Sequence, residues 1–197
     1  GEHFTDVGAT AGVASLFGKG LGVVAGDFDL DGDQDIYVAN DGVRNFYYRN
    51  DEQRFKDIAL QNGAAYNGEG GPEAGMGVDA GDYDGDGDLD LFVTNFSRET
   101  NTLYRNDRAA GFKDVSPGTD AANASFNQLG FGTFFFDADN DADLDLYIAN
   151  GHVLDRIQIL EADLRYAQND QLLQNDGQGH YSDISATSGA AFAQALV

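Results

Sequence analysis

The chain has 197 residues, of which 34 are acidic and 11 are basic, and its formal charge is −23 at pH 7. A field this negative repels nucleic acids and anionic membrane surfaces, so neither is predicted as a partner. The sequence has no cysteine, which excludes disulfides and thiol chemistry, and no apolar run of about 18 residues, so no membrane span is predicted.

The first predicted element is residues 4–7, an alternation of apolar and polar side chains that is typical of a half-buried strand. The same pattern returns three times, at residues 55–58, 112–115 and 181–184. After the first copy, a glycine-bearing strand is predicted at residues 20–26, with equivalents at residues 75–81 and 130–136. Glycines at matching positions of these strands indicate a place where backbones approach closely.

An acidic loop of nine residues follows each glycine-bearing strand, and every second position of the loop is aspartate. Loop 1 (residues 27–35), loop 2 (82–90) and loop 3 (137–145) recur at intervals of 55 residues. Their aspartates are Asp27, Asp29, Asp31, Asp33 and Asp35; Asp82, Asp84, Asp86, Asp88 and Asp90; and Asp137, Asp139, Asp141, Asp143 and Asp145. One isolated run of this kind is often only a solvated surface, but three copies in one register favour a cation site.

Calcium is the predicted cation, because it takes about six to eight oxygen ligands, whereas zinc prefers nitrogen or sulfur. We expect side-chain ligands from loop positions 1, 3, 5 and 9, a backbone carbonyl from position 7, and a tight turn at position 6. Gly32 and Gly87 occupy position 6, whereas loop 3 has Ala142, so loop 3 is predicted to bind most weakly.

An EF-hand begins with a similar run of aspartates, but it needs a glutamate at position 12 and a following helix. Position 12 is Val38, Val93 or Ile148 here, each within an apolar β-type run. The EF-hand interpretation therefore fails.

Each loop leads into a buried strand that ends in asparagine, at residues 36–40, 91–95 and 146–150. A third strand follows at residues 46–50, 102–106 and 171–175, so the repeat is four strands with the acidic loop between the first two. The third repeat carries an insertion, residues 151–169, in which residues 153–164 are rich in helix formers. We expect a short surface helix there.

Four-stranded units of about 55 residues are typical of β-propeller blades, so we predict an all-β fold. The motif Gly-x-Gly, then Asp-x-Asp-x-Asp-Gly-Asp-x-Asp-Leu-Tyr-Val-x-Asn, Leu-Tyr-Arg-Asn and Phe-x-Asp-Val, resembles the FG-GAP/VCBS repeat. That repeat occurs in integrin alpha-chain propellers and in secreted proteins of the cartilage acidic (ASPIC/UnbV) type. The resemblance covers nearly the whole chain, and it implies calcium at all three loops and an extracellular adhesion or binding role.

On this interpretation the chain is a single propeller segment. Blade 1 spans residues 20–58, blade 2 spans 75–115 and blade 3 spans 130–184 with its insertion, while residues 185–197 lead toward a next blade. Residues 4–7 are then the outer strand of a preceding blade. Because propellers need about four to eight blades, we predict either a piece of a larger propeller or self-assembly through open blade edges.

The leading functional hypothesis is a calcium-binding, non-catalytic module that binds a protein or glycan ligand in adhesion or assembly, secreted to the cell exterior or the periplasm. Two sequons at Asn95 and Asn123 are weak glycosylation candidates that fit secretion.

Two alternatives remain open. One is a carbohydrate-active enzyme domain, although the sequence has no Gly-x-Ser-x-Gly elbow and its histidines occupy non-equivalent repeat positions. The other is a lectin that stacks loop aromatic side chains on sugars, and the candidates are Phe17, Tyr66, Phe96 and Phe126.

Overall fold

The computed structural model describes residues 3–190 together with Phe192 and Ala195. Within that part of the chain, twelve strands form three antiparallel sheets of four strands each. The first sheet is β1 (Gly20–Gly26), β2 (Asp35–Asn40), β3 (Phe46–Asp51) and β4 (Arg54–Asp57). The second is β5 (Gly75–Gly81), β6 (Asp90–Asn95), β7 (Thr102–Asn106) and β8 (Phe112–Asp114). The third is β9 (Gly130–Phe136), β10 (Asp145–Asn150), β11 (Gln171–Asn175) and β12 (Tyr181–Asp183).

Strands that follow one another in the chain are neighbours in each sheet, which is the meander expected of a blade. The helices of the described residues are single turns outside the strands: α1 (Gly8–Ala11), α2 (Ala59–Asn62), α3 (Asp120–Asn123) and α4 (Ile157–Leu160), with 3-10 turns at Arg108–Ala110 and Ser185–Thr187. The predicted all-β fold of three four-stranded repeats is confirmed.

The hydrophobic core lies between neighbouring sheets. Tyr37 and Tyr47 of the first sheet pack with Leu91 and Tyr104 of the second in one cluster. A second cluster joins the second and third sheets through residues such as Phe92, Leu103, Leu146 and Leu173. Full burial of side chains of this size stabilises the fold by about 1.5–3 kcal/mol each, so the sheets are held together face to face by their apolar sides.

The first strands β1, β5 and β9 lie side by side where the sheets converge. A Cβ atom on Gly22 would come within 3.0 Å of the Gly77 backbone. A Cβ atom on Gly77 would collide with the carbonyl oxygen of Phe131. The prediction that the paired glycines allow close backbone approach is confirmed, because any side chain at Gly77 would push two blades apart.

Residues 4–7 are outside the strands that the structure contains, and Phe4 is fully exposed. Their interpretation as the outer strand of a preceding blade stays a prediction. The interpretation of residues 185–197 as a connection toward a next blade also stays a prediction, and residues 191, 193, 194, 196 and 197 lie outside the described part.

The predicted helix over residues 153–164 is wrong in length, because only the single turn α4 is helical. Tertiary contacts override helix propensity in this segment. Arg98 of the second repeat binds Glu161 and Asp163, at the place where the helix would continue.

Candidate metal centres

The three acidic loops occupy equivalent places, each joining the first strand of its sheet to the second. The aspartate at position 1 folds the loop by accepting hydrogen bonds from the backbone N–H groups of positions 5 and 6. In loop 1 the carboxylate of Asp27 accepts from Asp31 at 3.1 Å and from Gly32 at 3.0 Å. Asp82 and Asp137 make the same pair of bonds in loops 2 and 3. The sequence thus builds a tight turn that gathers the other carboxylates.

Each loop brings three carboxylate groups together, with oxygen atoms within 4.8 Å of one another. The groups are Asp27, Asp29 and Asp31 in loop 1; Asp82, Asp84 and Asp86 in loop 2; and Asp137, Asp139 and Asp145 in loop 3. Loops 1 and 2 therefore use positions 1, 3 and 5, and loop 3 uses positions 1, 3 and 9. Of the fifteen predicted aspartates, nine lie in these clusters.

The aspartate at position 9 ties the loop to the third strand. Asp35 is fully buried, and its carboxylate accepts hydrogen bonds from the backbone N–H of Asn50 at 2.8 Å and from the Tyr47 hydroxyl at 2.8 Å. Asp90 accepts from the N–H of Asn106 at 2.7 Å. Asp145 likewise accepts from the N–H of Asn175 at 2.8 Å, so this residue has a structural partner in all three loops. In loops 1 and 2 its expected role as a metal ligand stays a prediction.

The left-handed turn expected at position 6 occurs in all three loops. Gly32 has φ 95°, Gly87 has φ 92° and Ala142 has φ 79°. Glycine takes this conformation freely, whereas the Cβ of alanine opposes it at a cost of about 1 kcal/mol. At position 6, loop 3 therefore carries backbone strain that glycine avoids in the other two loops.

Burial and mutual repulsion raise the pKa of two carboxylates in the clusters, Asp84 of loop 2 and Asp29 of loop 1. Burial raises the pKa of Asp84, and the charges of Asp86 and Asp82 raise it further. Burial likewise raises the pKa of Asp29, with contributions from its acidic neighbours. Burial raises the pKa of Asp90 to about 7, against the hydrogen bonds that it accepts. A bound cation relieves the same penalty that a proton relieves.

One oxygen atom of loop 2 shows most directly that the cluster lacks a positive partner. Among the described residues, Oδ1 of Asp84 is buried without a hydrogen-bond partner, although it belongs to the cluster of loop 2. A buried anionic oxygen without a donor is costly, and an oxygen-only ligand set suits a hard cation. The residues of loop 2 therefore fit a calcium ion.

Two further side chains, one from a third strand and one from the turn after it, bind carboxylates of loops 3 and 2, and sequence reasoning missed both contacts. Gln174 donates from Nε2 to Asp139 at 2.6 Å in loop 3, where the other repeats have Arg49 and Arg105. Arg108 pairs with Asp88 in loop 2. The available signal was the departure from the repeat at these positions.

The other candidate residues are scattered over the molecule. Asn95 is 1% exposed and donates to Glu73, so a glycan there would have to displace buried contacts, whereas Asn123 is exposed. The loop aromatic residues also differ: Phe17 and Phe126 are exposed, while Tyr66 packs against the first core cluster.

Phe96 stacks edge-on against His152, with 5.5 Å between the ring centres. His152 is buried beside Ser97, whereas His180 is exposed and pairs with Asp176. The imidazoles of these two histidines therefore have separate environments. Among the described residues, no helix has the length and apolar character needed to cross a bilayer.

Three stacked four-stranded sheets with an acidic turn in each define a β-propeller repeat domain. The sequence profile of the FG-GAP-like repeat matches residues 27–93 and 82–148, and the chain belongs to this family. Cartilage acidic protein 1 is similar to this chain in several vertebrates. The Xenopus tropicalis protein is 30% identical over 159 residues, and the Mus musculus and Homo sapiens proteins are 31% identical over the same length. Each match covers 75% of this chain, which spans 23% of the length of these relatives.

Proposed function

We propose that the chain is a calcium-binding, non-catalytic module that acts outside the cell, or in a periplasm, by binding a protein or glycan ligand in adhesion or assembly. The observation that carries the calcium proposal is the partnerless buried oxygen of Asp84 within a cluster of three carboxylates. Because loops 1 and 3 repeat the cluster, we propose three sites.

In each site, the clustered carboxylates would hold the ion, and the ion would supply the positive charge that the loop lacks. The turn made by Asp27, Asp82 or Asp137 orients the neighbouring carboxylates toward one point. Sites made of exposed loops fill most readily where calcium is near millimolar, which supports a location outside the cytosol. Carboxylates committed to a cation are unavailable for proton transfer, which supports a role without catalysis.

Support for a binding or adhesion role comes from the family and from the relatives named cartilage acidic protein 1. The chain covers only 23% of those relatives, so the role of the whole protein is part of the proposal.

A glycan is one class of ligand that the proposed binding role could use. A cleft of about 390 Å³ is lined by Phe126, Arg98, Glu73 and Asp114, and it combines an exposed aromatic ring with acidic and basic groups. Aromatic faces and fixed polar groups are the usual features of sugar sites. A glycan array probed with and without calcium separates a lectin from a module that binds proteins only.

Calcium binding is tested by melting the chain in EGTA and in millimolar calcium. An ion that binds only the folded state adds about 2.7 kcal/mol per site at a hundredfold excess over Kd. Equal melting temperatures in the two buffers would contradict the proposal.

The variant Asp84→Asn sharpens this test. It removes the partnerless carboxylate, so we expect a higher melting temperature in EGTA and a smaller gain on adding calcium. The control Asp155→Asn makes the same charge change at an exposed position of the insertion and should leave the calcium gain unchanged.

A further inference from the structure

Arg108 makes three contacts with loop 2, and through them its guanidinium supplies a positive charge to the loop. Its Nε lies 2.8 Å and 2.6 Å from the two carboxylate oxygens of Asp88, and its Nη2 donates to the backbone carbonyl of Asp86 at 2.9 Å. Asp88 is 2% exposed, whereas Arg108 is 60% exposed. One guanidinium therefore neutralises the buried carboxylate of position 7 and fixes the backbone at position 5.

The other two repeats lack this cation. Arg108 stands two positions after Asn106, and the equivalent asparagines are Asn50 and Asn175, whose N–H groups likewise bind the aspartate of position 9. Two positions after them the sequence has Glu52 and Gly177. Glu52 has the same φ of 54° as Arg108, so the first repeat has a left-handed residue of the opposite charge at this position, in a shorter turn.

The carboxylates at position 7 of loops 1 and 3 differ from Asp88 in their ion pairing and in their exposure. Within the described residues, no ion pair joins a basic side chain to Asp33 of loop 1 or to Asp143 of loop 3. Both are more exposed than Asp88 and are left to water. A buried carboxylate without a partner is strongly destabilising, so only loop 2 could bury this group, and it does so with Arg108.

We propose that Arg108 is the resident counter-ion of loop 2, which keeps this loop ordered without metal and makes its site the least calcium-dependent of the three. The inference rests on the proposed calcium function. Arg108 holds positions 5 and 7 from outside, while Asp82, Asp84 and Asp86 remain clustered toward the site. A guanidinium stays charged at every physiological pH, and here its Nε holds the Asp88 carboxylate while its Nη2 holds the Asp86 carbonyl, so the contact persists when calcium is removed. Among the described residues, no basic side chain forms an ion pair with a carboxylate of loop 1 or loop 3, so calcium is the proposed cation that contacts them directly.

Hydrogen exchange of the wild-type chain in EGTA tests this without any substitution. Amides of residues 82–90 should exchange at least about tenfold more slowly than those of residues 27–35 and 137–145. Equal exchange in the three loops would overturn the proposal.

The variant Arg108→Gln gives the complementary result. It leaves Asp88 without its cation, so exchange of residues 82–90 in EGTA should rise to the level of loop 1. The melting temperature should fall in EGTA, and the gain on adding calcium should exceed that of wild type by about 5 °C, because calcium becomes the remaining cation of loop 2. Lys56→Gln is the matched control, since it removes one positive charge from the exposed face of β4.

A calcium gain in Arg108→Gln that equals the wild-type gain would also overturn the proposal. If Arg108→Gln does not fold in either buffer, the wild-type exchange comparison decides alone. The two proposals fail separately: if calcium does not raise the melting temperature of wild type, calcium binding is wrong, yet faster exchange of residues 82–90 in Arg108→Gln than in wild type, both in EGTA, still assigns the order of loop 2 to Arg108.

Discussion

At position 6, one side chain distinguishes loop 3 from loops 1 and 2. Ala142 has a left-handed backbone with φ 79°, where the other loops have glycine. The strain must be overcome by whatever holds the loop folded, and calcium is the proposed source of that free energy. The sequence alone predicted this difference, because the nine-residue repeat fixes which residue stands at the turn.

We therefore expect Ala142→Gly to tighten calcium binding at loop 3 by up to about fivefold, which corresponds to about 1 kcal/mol of relieved strain. Isothermal titration calorimetry of the variant measures this. Gly32→Ala in loop 1 is the mirror-image control, since no described atom lies within 4 Å of the added Cβ and only the backbone strain changes. If Ala142→Gly leaves calcium affinity unchanged, the turn at position 6 does not govern binding.

Contacts between distant residues were beyond the reach of sequence reasoning. Arg108 meets Asp88 across 20 positions, and Gln174 meets Asp139 across 35. The Arg108 contact depends on how the turn between the third and fourth strands lies over loop 2, and on Arg108 having a left-handed φ of 54°, whereas Gln174 reaches loop 3 from β11. The repeat pattern located the loops but not the side chains that reach them.

The insertion in the third repeat is the element that sequence patterns described least well. Its residues favour a helix by propensity, yet residues 151–169 are held by contacts with the second repeat. The Arg98 guanidinium binds Glu161 and Asp163, each at 2.6 Å, and also Asn127 at 2.6 Å. Such contacts across repeats fix the path of the segment, whereas the strands follow from alternation within one repeat.

His152 anchors the start of the insertion as a neutral ring. Nδ1 accepts a hydrogen bond from the Leu154 N–H at 3.0 Å, so the ring proton is on Nε2, which lies 3.3 Å from the Ser97 hydroxyl. Burial lowers the pKa of His152 below 6.5, and the charge of Glu161 opposes that shift. Protonation would put a proton on Nδ1 and break the bond to Leu154.

A histidine with a lowered pKa contributes stability above its unfolded-state pKa and loses it as the pH falls. We expect acidification from about pH 7.5 to pH 5.5, in calcium, to lower the melting temperature of wild type by about 2–4 °C more than that of His152→Gln. Hydrogen exchange of residues 151–169 should accelerate in wild type over the same range. The same pH dependence in both proteins would show that His152 does not anchor the insertion.

At the scale of the whole molecule, the three sheets leave two flanks open. On the first sheet Leu21 is 57% exposed and Val23 is 69% exposed, and on the third sheet Phe134 is 45% exposed. In the internal sheet, Val78 is the equivalent of Val23, and it packs against the first core cluster. The sequence predicted these blades and their order, but it could not place residues 4–7, since the described chain contains no strand for them to pair with.

Glycines of the first strands lie where the backbone of one blade contacts the backbone of the next. Gly22 faces the backbone of Gly77, and Gly77 faces the carbonyl of Phe131. Gly132 is the next in this series, and no described atom lies within 4 Å of a Cβ placed on it. The flank of the third sheet is thus shaped for another strand of the same kind.

We predict that the 197-residue chain associates with itself in calcium, with the Gly132 flank of one copy receiving the first strand of another. Gly132→Ala should then weaken association at least about tenfold in analytical ultracentrifugation while leaving the melting temperature of the dilute chain unchanged, because its Cβ meets nothing within one copy.

Gly77→Ala should instead lower the melting temperature, because its Cβ collides with Phe131 inside the chain. Gly151→Ala, also in open space but away from the flank, is the neutral control. A stable, soluble wild-type monomer at high concentration would mean that three blades suffice without a neighbour on the Gly132 flank.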